Sequence, residues 1–410
     1  MRQQYEPSAD RIIALYQQLE DDILSAVIRR ILKMGYVSEA SKHQLEVLQA
    51  AGLLYDDIVQ LIADRTDACT AQVKALFEDA GVQTVEIDNS LHEAAGALPI
   101  DIRQDSSTRQ VLEAGYKKTL GTMQNLVSTT ATQTQTAFIQ TCDRIYMQVS
   151  SGAFSYQEAI MNALRALADT GAEVVYPTKH KDRMDVAVRR CVLTGVSQTA
   201  AAVSLQQAEN AGCYLMEITA HSGARPDHAK WQGQLVTITG KDAGKIIDGL
   251  RVFTLSEIGY GSGEGFKGWN CRHNWHAYYP GLSTPNYTPE ELKKLDEPCI
   301  SYNGKLYTEY EVSQMQRAQE RRVRAWKRRC ITAQEGVNSA TDEATRATAQ
   351  AEFDRSARYL KNNEAKLKDF CRQTGQDRDR FREQVLGFNR STAQKAVHAA
   401  KKSGLTSGGK

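Results

Sequence analysis

The sequence changes character at the stretch Gly212-Cys213-Tyr214-Leu215-Met216-Glu217-Ile218-Thr219. Before this stretch, apolar residues recur every three or four positions, as they do in amphipathic helices. From it onward, short β-branched and aromatic runs bounded by Gly or Pro predict strands at residues 213–219, 234–239 and 251–255. Helical periodicity returns at about residue 308. We therefore predict a mainly α protein with a small central α+β domain, in a multi-part, elongated helical architecture.

Six segments of the N-terminal half have helical periodicity. They cover residues 12–31, 45–61, 69–80, 107–150, 156–170 and 182–211. Ser8 is the expected N-cap of the first segment. Glycines are expected to end four of the segments, and they are Gly35, Gly81, Gly171 and Gly212. The centre of the fourth segment, residues 128–136, is so polar that two structures stay open. It is either a helix exposed on most faces or one packed on a partner through small residues.

Length and composition favour a globular protein of two or three folding units. The chain has 410 residues, of which 41% are hydrophobic, so burial of a core is feasible. We find neither an apolar run long enough to cross a membrane nor the apolar core of a signal peptide at the N-terminus. The eight cysteines are widely scattered without a CxxC pair. Free thiols in a cytoplasm, and no contact with a membrane, are therefore expected.

Charge is distributed unevenly along the chain. Residues 1–100 contain 8 Lys and Arg against 16 Asp and Glu, whereas residues 301–410 contain 23 against 13. We predict three parts: an acidic helical region at 1–150, a central domain at 151–300 whose α+β unit covers 213–300, and a basic helical region at 301–410 that ends in a mobile tail from Lys401.

Seven basic residues lie within thirteen positions of the third part. They are Arg317, Arg321, Arg322, Arg324, Lys327, Arg328 and Arg329. Such a segment could neutralise several phosphates and bind DNA without sequence preference and in a salt-sensitive way. A solvated helix face, or a contact with an acidic protein surface, would give the same pattern. Both interpretations stay open.

Residues able to bind a metal or act in catalysis concentrate in two blocks of the central part, at 219–233 and 265–276. The candidates are His221, His228, Cys271, His273 and His276. A structural zinc site would use the nitrogen and sulfur ligands, although the spacing lacks a CxxC partner. A His-Asn-His nuclease would need acidic metal ligands, and a Cys271–His nucleophile would need an orienting third group; neither is evident in the sequence.

The alternative to a zinc site or a catalytic site is a hydrogen-bonded polar network. The sequence does not decide whether a metal is bound. In that network Arg225, Asp227, His228 and Asn270 would satisfy one another. Trp231 and Trp269 would cover them. Gly233 and Gly268 would permit close approach of the backbone.

The two blocks resemble a known family. Their shared residues are His221, Arg225, Asp227, His228, Trp231, Gly233, Trp269, Asn270, Cys271, Arg272 and His273. The order resembles the head-morphogenesis domain of Mu F-like phage proteins and, more closely, phage minor capsid protein 2, over roughly residues 150–285. The preceding helix also matches, through residues 185–190 and 194–199. Many Mu F-like domains end this motif with Asn-Cys-Arg-Cys, whereas His273 stands at the last position here.

The resemblance implies a structural protein of a tailed-phage head. Because no catalytic arrangement is evident in the sequence, we do not expect an enzyme. The resemblance also implies a position in the virion near the portal vertex, after assembly in the host cytoplasm. The implied partners are the portal protein, the major capsid protein or other head and neck proteins, and phage DNA bound without sequence preference during packaging or ejection. No cofactor is expected apart from the zinc alternative. The rival hypothesis is a metal-dependent hydrolase or nuclease that uses residues 221–276.

Overall fold

Helices account for most of residues 6–36, 38–102, 104–176 and 178–402, which the computed structural model of the protein describes. The helices are α1 (Glu6–Met34), α2 (Ala40–Ala94), α3 (Ser106–Ser150), α4 (Tyr156–Thr170), α5 (Met184–Asn210), α6 (Pro289–Leu295), α7 (Glu309–Ser339), α8 (Glu343–Thr374) and α9 (Arg390–Lys402). The predicted mainly α fold is confirmed. No helix in these ranges is both long and apolar enough to cross a membrane.

Nine short strands complete the secondary structure of the described ranges. They are β1 (Glu173–Val175), β2 (Lys181–Arg183), β3 (Leu215–Ile218), β4 (Leu235–Thr237), β5 (Ile246–Ile247), β6 (Leu250–Thr254), β7 (Trp275–Tyr278), β8 (Ile300–Tyr302) and β9 (Lys305–Tyr307). The predicted strands at 213–219, 234–239 and 251–255 correspond to β3, β4 and β6, and are confirmed.

The chain forms two compact units, each assembled from three segments. Unit 1 comprises Met1–Ile12, Ala68–Gln124 and Val188–Ser313, and unit 2 comprises Ile13–Asp67, Asn125–Ala187 and Gln314–Lys410. The three-part division at residues 150 and 300 stays a prediction.

A mixed five-stranded sheet forms the centre of unit 1. Its order is β5-β6-β4-β3-β7, with β4 and β6 parallel and the other neighbours antiparallel. Side chains alternate across the sheet, so β3 sends Met216 and Ile218 to one core and Leu215 to another. The first core also contains Ala201 and Ala208 of α5. Because both faces are covered, the sheet positions its end loops firmly.

Two helices of unit 1 approach each other through glycines. A Cβ at Gly115 of α3 would lie 2.0 Å from Thr199 Oγ1, and a Cβ at Gly195 of α5 would lie 2.1 Å from Thr119 Oγ1. Gly115 faces Thr199 and the later Thr119 faces the earlier Gly195, so α3 and α5 run antiparallel where they cross. Little space separates their backbones there. Glycine is required at both positions for this approach.

Helix ends agree with the predicted glycines in three of four places. Gly35, Gly171 and Gly212 follow α1, α4 and α5 with positive φ, as helix-ending glycines do. Gly81 does not end a helix, because α2 is continuous from 40 to 94 and merges two predicted segments. Within unit 1, a Cβ at Gly81 would lie 2.6 Å from Leu112 Cδ1. This glycine therefore serves helix packing.

Two predictions near the ends of the chain were wrong, one about the start of α1 and one about the start of the mobile tail. Ser8 lies inside α1 and is not its N-cap. Lys401 and Lys402 are the last residues of α9, so the predicted mobile tail does not begin at Lys401; residues 403–410 lie outside the described residues.

The polar segment of α3 buries a narrow stripe. Thr130, Ala131 and Thr134 are buried while Ser128, Thr132 and Gln133 are exposed. Spacings of three and four residues place the buried residues on one helical face. The segment is therefore a helix that is exposed on most faces and packs through one stripe of small residues, so each of the two predicted structures describes part of it.

Unit 2 buries a cluster of opposite charges, which we call the ion cluster: Glu20, Asp21, Arg183, Asp185 and Arg328. The carboxylate of Glu20 accepts a hydrogen bond from Arg183, and Arg328 Nη2 lies 3.4 Å from Asp185 Oδ2. The backbone N–H of Gly387 donates to Asp21 Oδ2 at 2.7 Å. Burial raises the pKa of Glu20 and raises that of Asp21 to about 7.

Candidate functional site

Two loops meet at one end of β3 and β7. These strands pair antiparallel with Ile218 opposite Trp275, so the loop after β3 and the loop before β7 lie side by side. The first loop carries His221 and His228, and the second carries Cys271 and His273. Sheet register therefore joins residues that are forty or more positions apart.

Three of these side chains form a compact group. The metal-capable atoms of His228, Cys271 and His273 all lie within 4.8 Å of one another, and the three residues are buried. Sγ of Cys271 is 3.5 Å from Nδ1 of His273. The ring of His221 lies against that of His273 with centroids 4.4 Å apart. We call these four residues the His/Cys cluster.

Each imidazole of the His/Cys cluster has one nitrogen beside an oxygen. Nδ1 of His221 lies 2.9 Å from the carbonyl oxygen of Ser222. Nε2 of His273 lies 3.3 Å from Oε1 of the buried Gln232, which also accepts the backbone N–H of His221.

The third ring, that of His228, has two neighbours at Nε2. The carbonyl oxygen of Glu264 lies 2.9 Å away and Nη2 of Arg225 lies 2.8 Å away. Arg225 also donates to the Glu264 carbonyl. A carbonyl oxygen has two lone pairs, so it can accept from both donors.

Burial keeps the His/Cys cluster uncharged at neutral pH. Desolvation lowers the pKa of His221 and His228, and lowers that of His273 to about 2 with help from the neighbouring rings. Desolvation also raises the pKa of the Cys271 thiol. The site is therefore a set of neutral donor and acceptor atoms.

Aromatic rings and one glycine hold the cluster in place. Trp231 contacts His228 and His273, with ring centroids 4.4 and 4.7 Å away. A Cβ at Gly268 would lie 2.1 Å from the carbonyl oxygen of Ser262, so only glycine fits this turn of the loop before Cys271. Close backbone approach at Gly268 is what the sequence predicted.

Lys267 is a buried cation that sequence reasoning did not select. Its ammonium lies 3.2 Å from Ser197 Oγ and 3.0 Å from Asn274 Oδ1, and its carbonyl accepts from Gln198. Burial lowers the pKa of Lys267 to about 8. These contacts join the loop before β7 to residues 194–199 of α5, a stretch that also resembles the family.

Several predicted motif residues lie outside the cluster. Trp269 is 53% exposed, so it does not cover the polar network, and it lies near the guanidinium of Arg190 instead. Asn270 and Arg272 are exposed as well. Asn270 has a positive φ of 56°, a value that asparagine tolerates better than most residues, which indicates a role in the turn and not in the network.

The remaining predicted positions serve the surrounding structure. Asp227 is mostly exposed, and its carboxylate lies 3.7 Å from Arg225 and 3.9 Å from His228, two residues predicted to share a polar network with it. Gly233 has a φ of 68°, and a Cβ there would lie 2.5 Å from Leu292. His276 does not join the cluster, because its Nε2 lies 3.3 Å from the buried Glu217 carboxylate.

Most of the predicted basic segment is engaged inside unit 2. Arg328 and Arg329 pair with Asp185 and Asp169. Arg324 and Lys327 donate to the backbone carbonyls of Arg382 and Glu383. Arg317 is half-buried, which leaves Arg321 and Arg322 as the exposed pair.

Comparison with known proteins is consistent with the motif. The family model described as phage minor capsid protein 2 matches residues 2–372. A structural protein of Lactococcus phage LL-H is 24% identical over 333 residues, covering 78% of this chain and 86% of the relative. A structural protein of Lactococcus phage mv4 is 37% identical over 81 residues, covering 20% of this chain and 57% of the relative. No solved structure matches significantly.

Proposed function

The chain belongs to the phage minor capsid protein 2 family, and from this premise we propose that it acts in the phage head at the portal vertex. There it would contact the portal protein and neighbouring head proteins and support genome packaging or ejection. Membership of a family of phage structural proteins carries this proposal. The relatives are described only as structural proteins. The position in the head and the partners are therefore our proposal.

Burial of the His/Cys cluster supports a structural role over a hydrolase. A catalytic zinc keeps an open position for water or substrate. Here His228, Cys271 and His273 are each at most 4% exposed. The carboxylate of Asp227 lies 3.9 Å from Nε2 of His228, but it is mostly exposed and also lies 3.7 Å from Arg225.

Locating the chain in the virion tests the head position. We expect density for the helical units at the portal vertex in an asymmetric reconstruction of mature particles. Particles assembled without the chain should lack that density and retain the capsid lattice. Density spread over the whole lattice, or confined to the tail, would refute the position.

DNA contact is a second part of the proposal, and we assign it to exposed cations on α7, α8 and α9 of unit 2. Arg321 and Arg322 of α7 are exposed, and so are cations on α8 and α9: Arg346, Arg355, Arg358, Lys366, Lys368, Arg372, Arg390, Lys395, Lys401 and Lys402. Cations at the surface can neutralise phosphates and release counterions, whereas the buried Arg328 serves the ion cluster.

A paired substitution tests the DNA contact. Changing Arg321 and Arg322 to Ala should weaken binding to random duplex DNA. It should also lower the slope of log affinity against log salt by about 2, if each contacts one phosphate. The matched control changes Lys117 and Lys118, two adjacent exposed cations of α3 in unit 1. Equal binding by both double variants would exclude Arg321 and Arg322 from the contact.

A further inference from the structure

The His/Cys cluster has the composition and spacing of a metal site. We propose that His228, Cys271 and His273, with His221 as the fourth ligand, bind one zinc ion that ties the loop after β3 to the loop before β7. Two nitrogen ligands and one sulfur ligand already lie within 4.8 Å of one another. This proposal is independent of where the chain acts in the virion.

The distance between the sulfur and one nitrogen fits tetrahedral coordination. With Zn–S of about 2.3 Å and Zn–N of about 2.1 Å, two tetrahedral ligands lie roughly 3.6 Å apart. Sγ of Cys271 and Nδ1 of His273 are 3.5 Å apart. An ion between them would need little movement of either side chain.

Hydrogen bonds leave the correct ring nitrogens available. Ligating histidines commonly donate their other N–H to a carbonyl or carboxylate, which fixes the tautomer. His273 can donate from Nε2 to Gln232, leaving the lone pair of Nδ1 beside Cys271. Nε2 of His228 lies beside both the carbonyl oxygen of Glu264 and the guanidinium of Arg225, which can only donate; Nδ1 is the lone-pair atom of His228 when Nε2 donates to the carbonyl.

His221 supplies an independent observation. Its Nδ1 is placed to donate to the carbonyl oxygen of Ser222, so Nε2 carries the lone pair. That Nε2 is buried and has no hydrogen-bond partner. Burying an acceptor without a partner costs free energy, which a metal ion at this nitrogen would offset.

Ligand type and burial indicate the metal and its role. Imidazole and thiolate favour zinc over magnesium or calcium, which prefer oxygen ligands. Metal-bound imidazole is neutral and metal-bound cysteine is a thiolate, so the Cys271 thiol would release its proton on binding. His221 lies outside the group whose ligand atoms are all within 4.8 Å of one another, so its ring must move towards them to complete a closed, structural set of four protein ligands.

Metal analysis of the wild-type chain is the primary test. Protein produced with zinc in the medium should retain one zinc per chain after dialysis against a weak chelator. X-ray absorption of this protein should show one sulfur at about 2.3 Å and three nitrogens at about 2.1 Å. Substoichiometric zinc, or a shell without sulfur, would overturn the proposal without any variant having to fold.

Cobalt substitution identifies the ligands. Co²⁺ bound to the wild-type chain should give a thiolate-to-metal charge-transfer band, which Cys271→Ser should abolish. Cys299→Ser is the matched control, because Cys299 is exposed and lies outside the cluster. Retention of the band in Cys271→Ser would contradict the assignment.

Two histidine substitutions decide the fourth ligand. His221→Ala should lower the affinity for Co²⁺ at least tenfold, whereas His398→Ala, at an exposed position of α9, should not change it. Unchanged affinity in His221→Ala would remove His221 from the ligand set.

Discussion

The two units differ in the charge of the polar groups that they bury: those of the His/Cys cluster in unit 1 are neutral, whereas the ion cluster of unit 2 contains ion pairs. In unit 1 the His/Cys cluster is held neutral and satisfied by oxygens such as those of Gln232 and Ser222. In unit 2 the ion cluster sets the guanidinium groups of Arg183 and Arg328 among carboxylates. A neutral group costs less to desolvate than a charged one, but it stays neutral only in part of the pH range. A buried charge depends on its partner being present.

Removing one partner of the ion cluster should have the largest effect. Arg328→Ala leaves Asp185 without its guanidinium partner at 3.4 Å, in a site where both side chains are buried. Loss of one partner of a buried ion pair costs about 3–5 kcal/mol of unfolding free energy. Urea denaturation followed by circular dichroism measures this loss.

The neighbouring Arg322 is the control for that loss. It lies on α7 but is exposed, so Arg322→Ala should change the unfolding free energy by no more than about 0.5 kcal/mol. Equal losses in the two variants would show that burial of Arg328 does not govern its contribution.

Acid should destabilise unit 1 next most strongly. The histidine pKa values are lowered in the fold, so their contribution to stability is complete above the unfolded pKa of 6.5 and is lost as pH falls. Between pH 6.5 and pH 4.5, holding one imidazole neutral costs up to about 3 kcal/mol. Trp231 and Trp275 report this unfolding in a Trp326→Phe variant, with a chelator present to exclude metal. An unfolding free energy that does not change with pH over this interval would contradict the conclusion that the buried histidines are held neutral in the fold.

Asp21 should give unit 2 the opposite pH dependence. Its pKa is about 7 in the fold and 3.8 as a free side chain, so the folded state binds the proton more tightly. The contribution of Asp21 to stability is therefore complete below pH 3.8 and is lost as pH rises through 7. Asp21→Asn should raise the unfolding free energy at pH 8 by roughly 2–4 kcal/mol and have little effect at pH 4. Trp326 is the tryptophan of unit 2 that reports it.

The exposed Asp56→Asn is the matched control, because the same chemical change there removes a charge that water already solvates. A similar change in pH dependence for both variants would mean that general charge, and not burial at Asp21, is responsible.

Features set by neighbouring residues were predictable from the sequence. Helices, their glycine ends and the three central strands depend on local periodicity and on φ, which the sequence carries directly. The hairpin of β8 and β9 was missed although Asn303-Gly304, both with positive φ, is a known turn signal. The prediction that Gly81 ends a helix was wrong, because this glycine allows close packing against Leu112 of another helix, a contact that the local sequence does not show.

Features set by distant partners were not predictable. Cys271 and His273 were candidates, but only the register of β3 with β7 brings them to His228. Gln232 and Lys267 were not assigned roles, because their partners lie far along the chain. The basic segment shows the same limit, since Arg328 and Arg329 pair with carboxylates 143 and 160 positions away. Charge density alone could not separate these from the exposed Arg321.

The smallest predicted effect concerns the packing of α3 against α5 in unit 1. Gly195→Ala would place a Cβ 2.1 Å from Thr119 Oγ1, and forcing a methyl group into such a contact costs about 1–3 kcal/mol. Gly121 lies in α3 with open space around it, so Gly121→Ala should stabilise by about 0.5–1 kcal/mol through helix propensity. Thermal denaturation of the two variants should shift in opposite directions. A shift in the same direction would mean that α3 and α5 can move apart far enough to accept a methyl group at Gly195 without loss of stability.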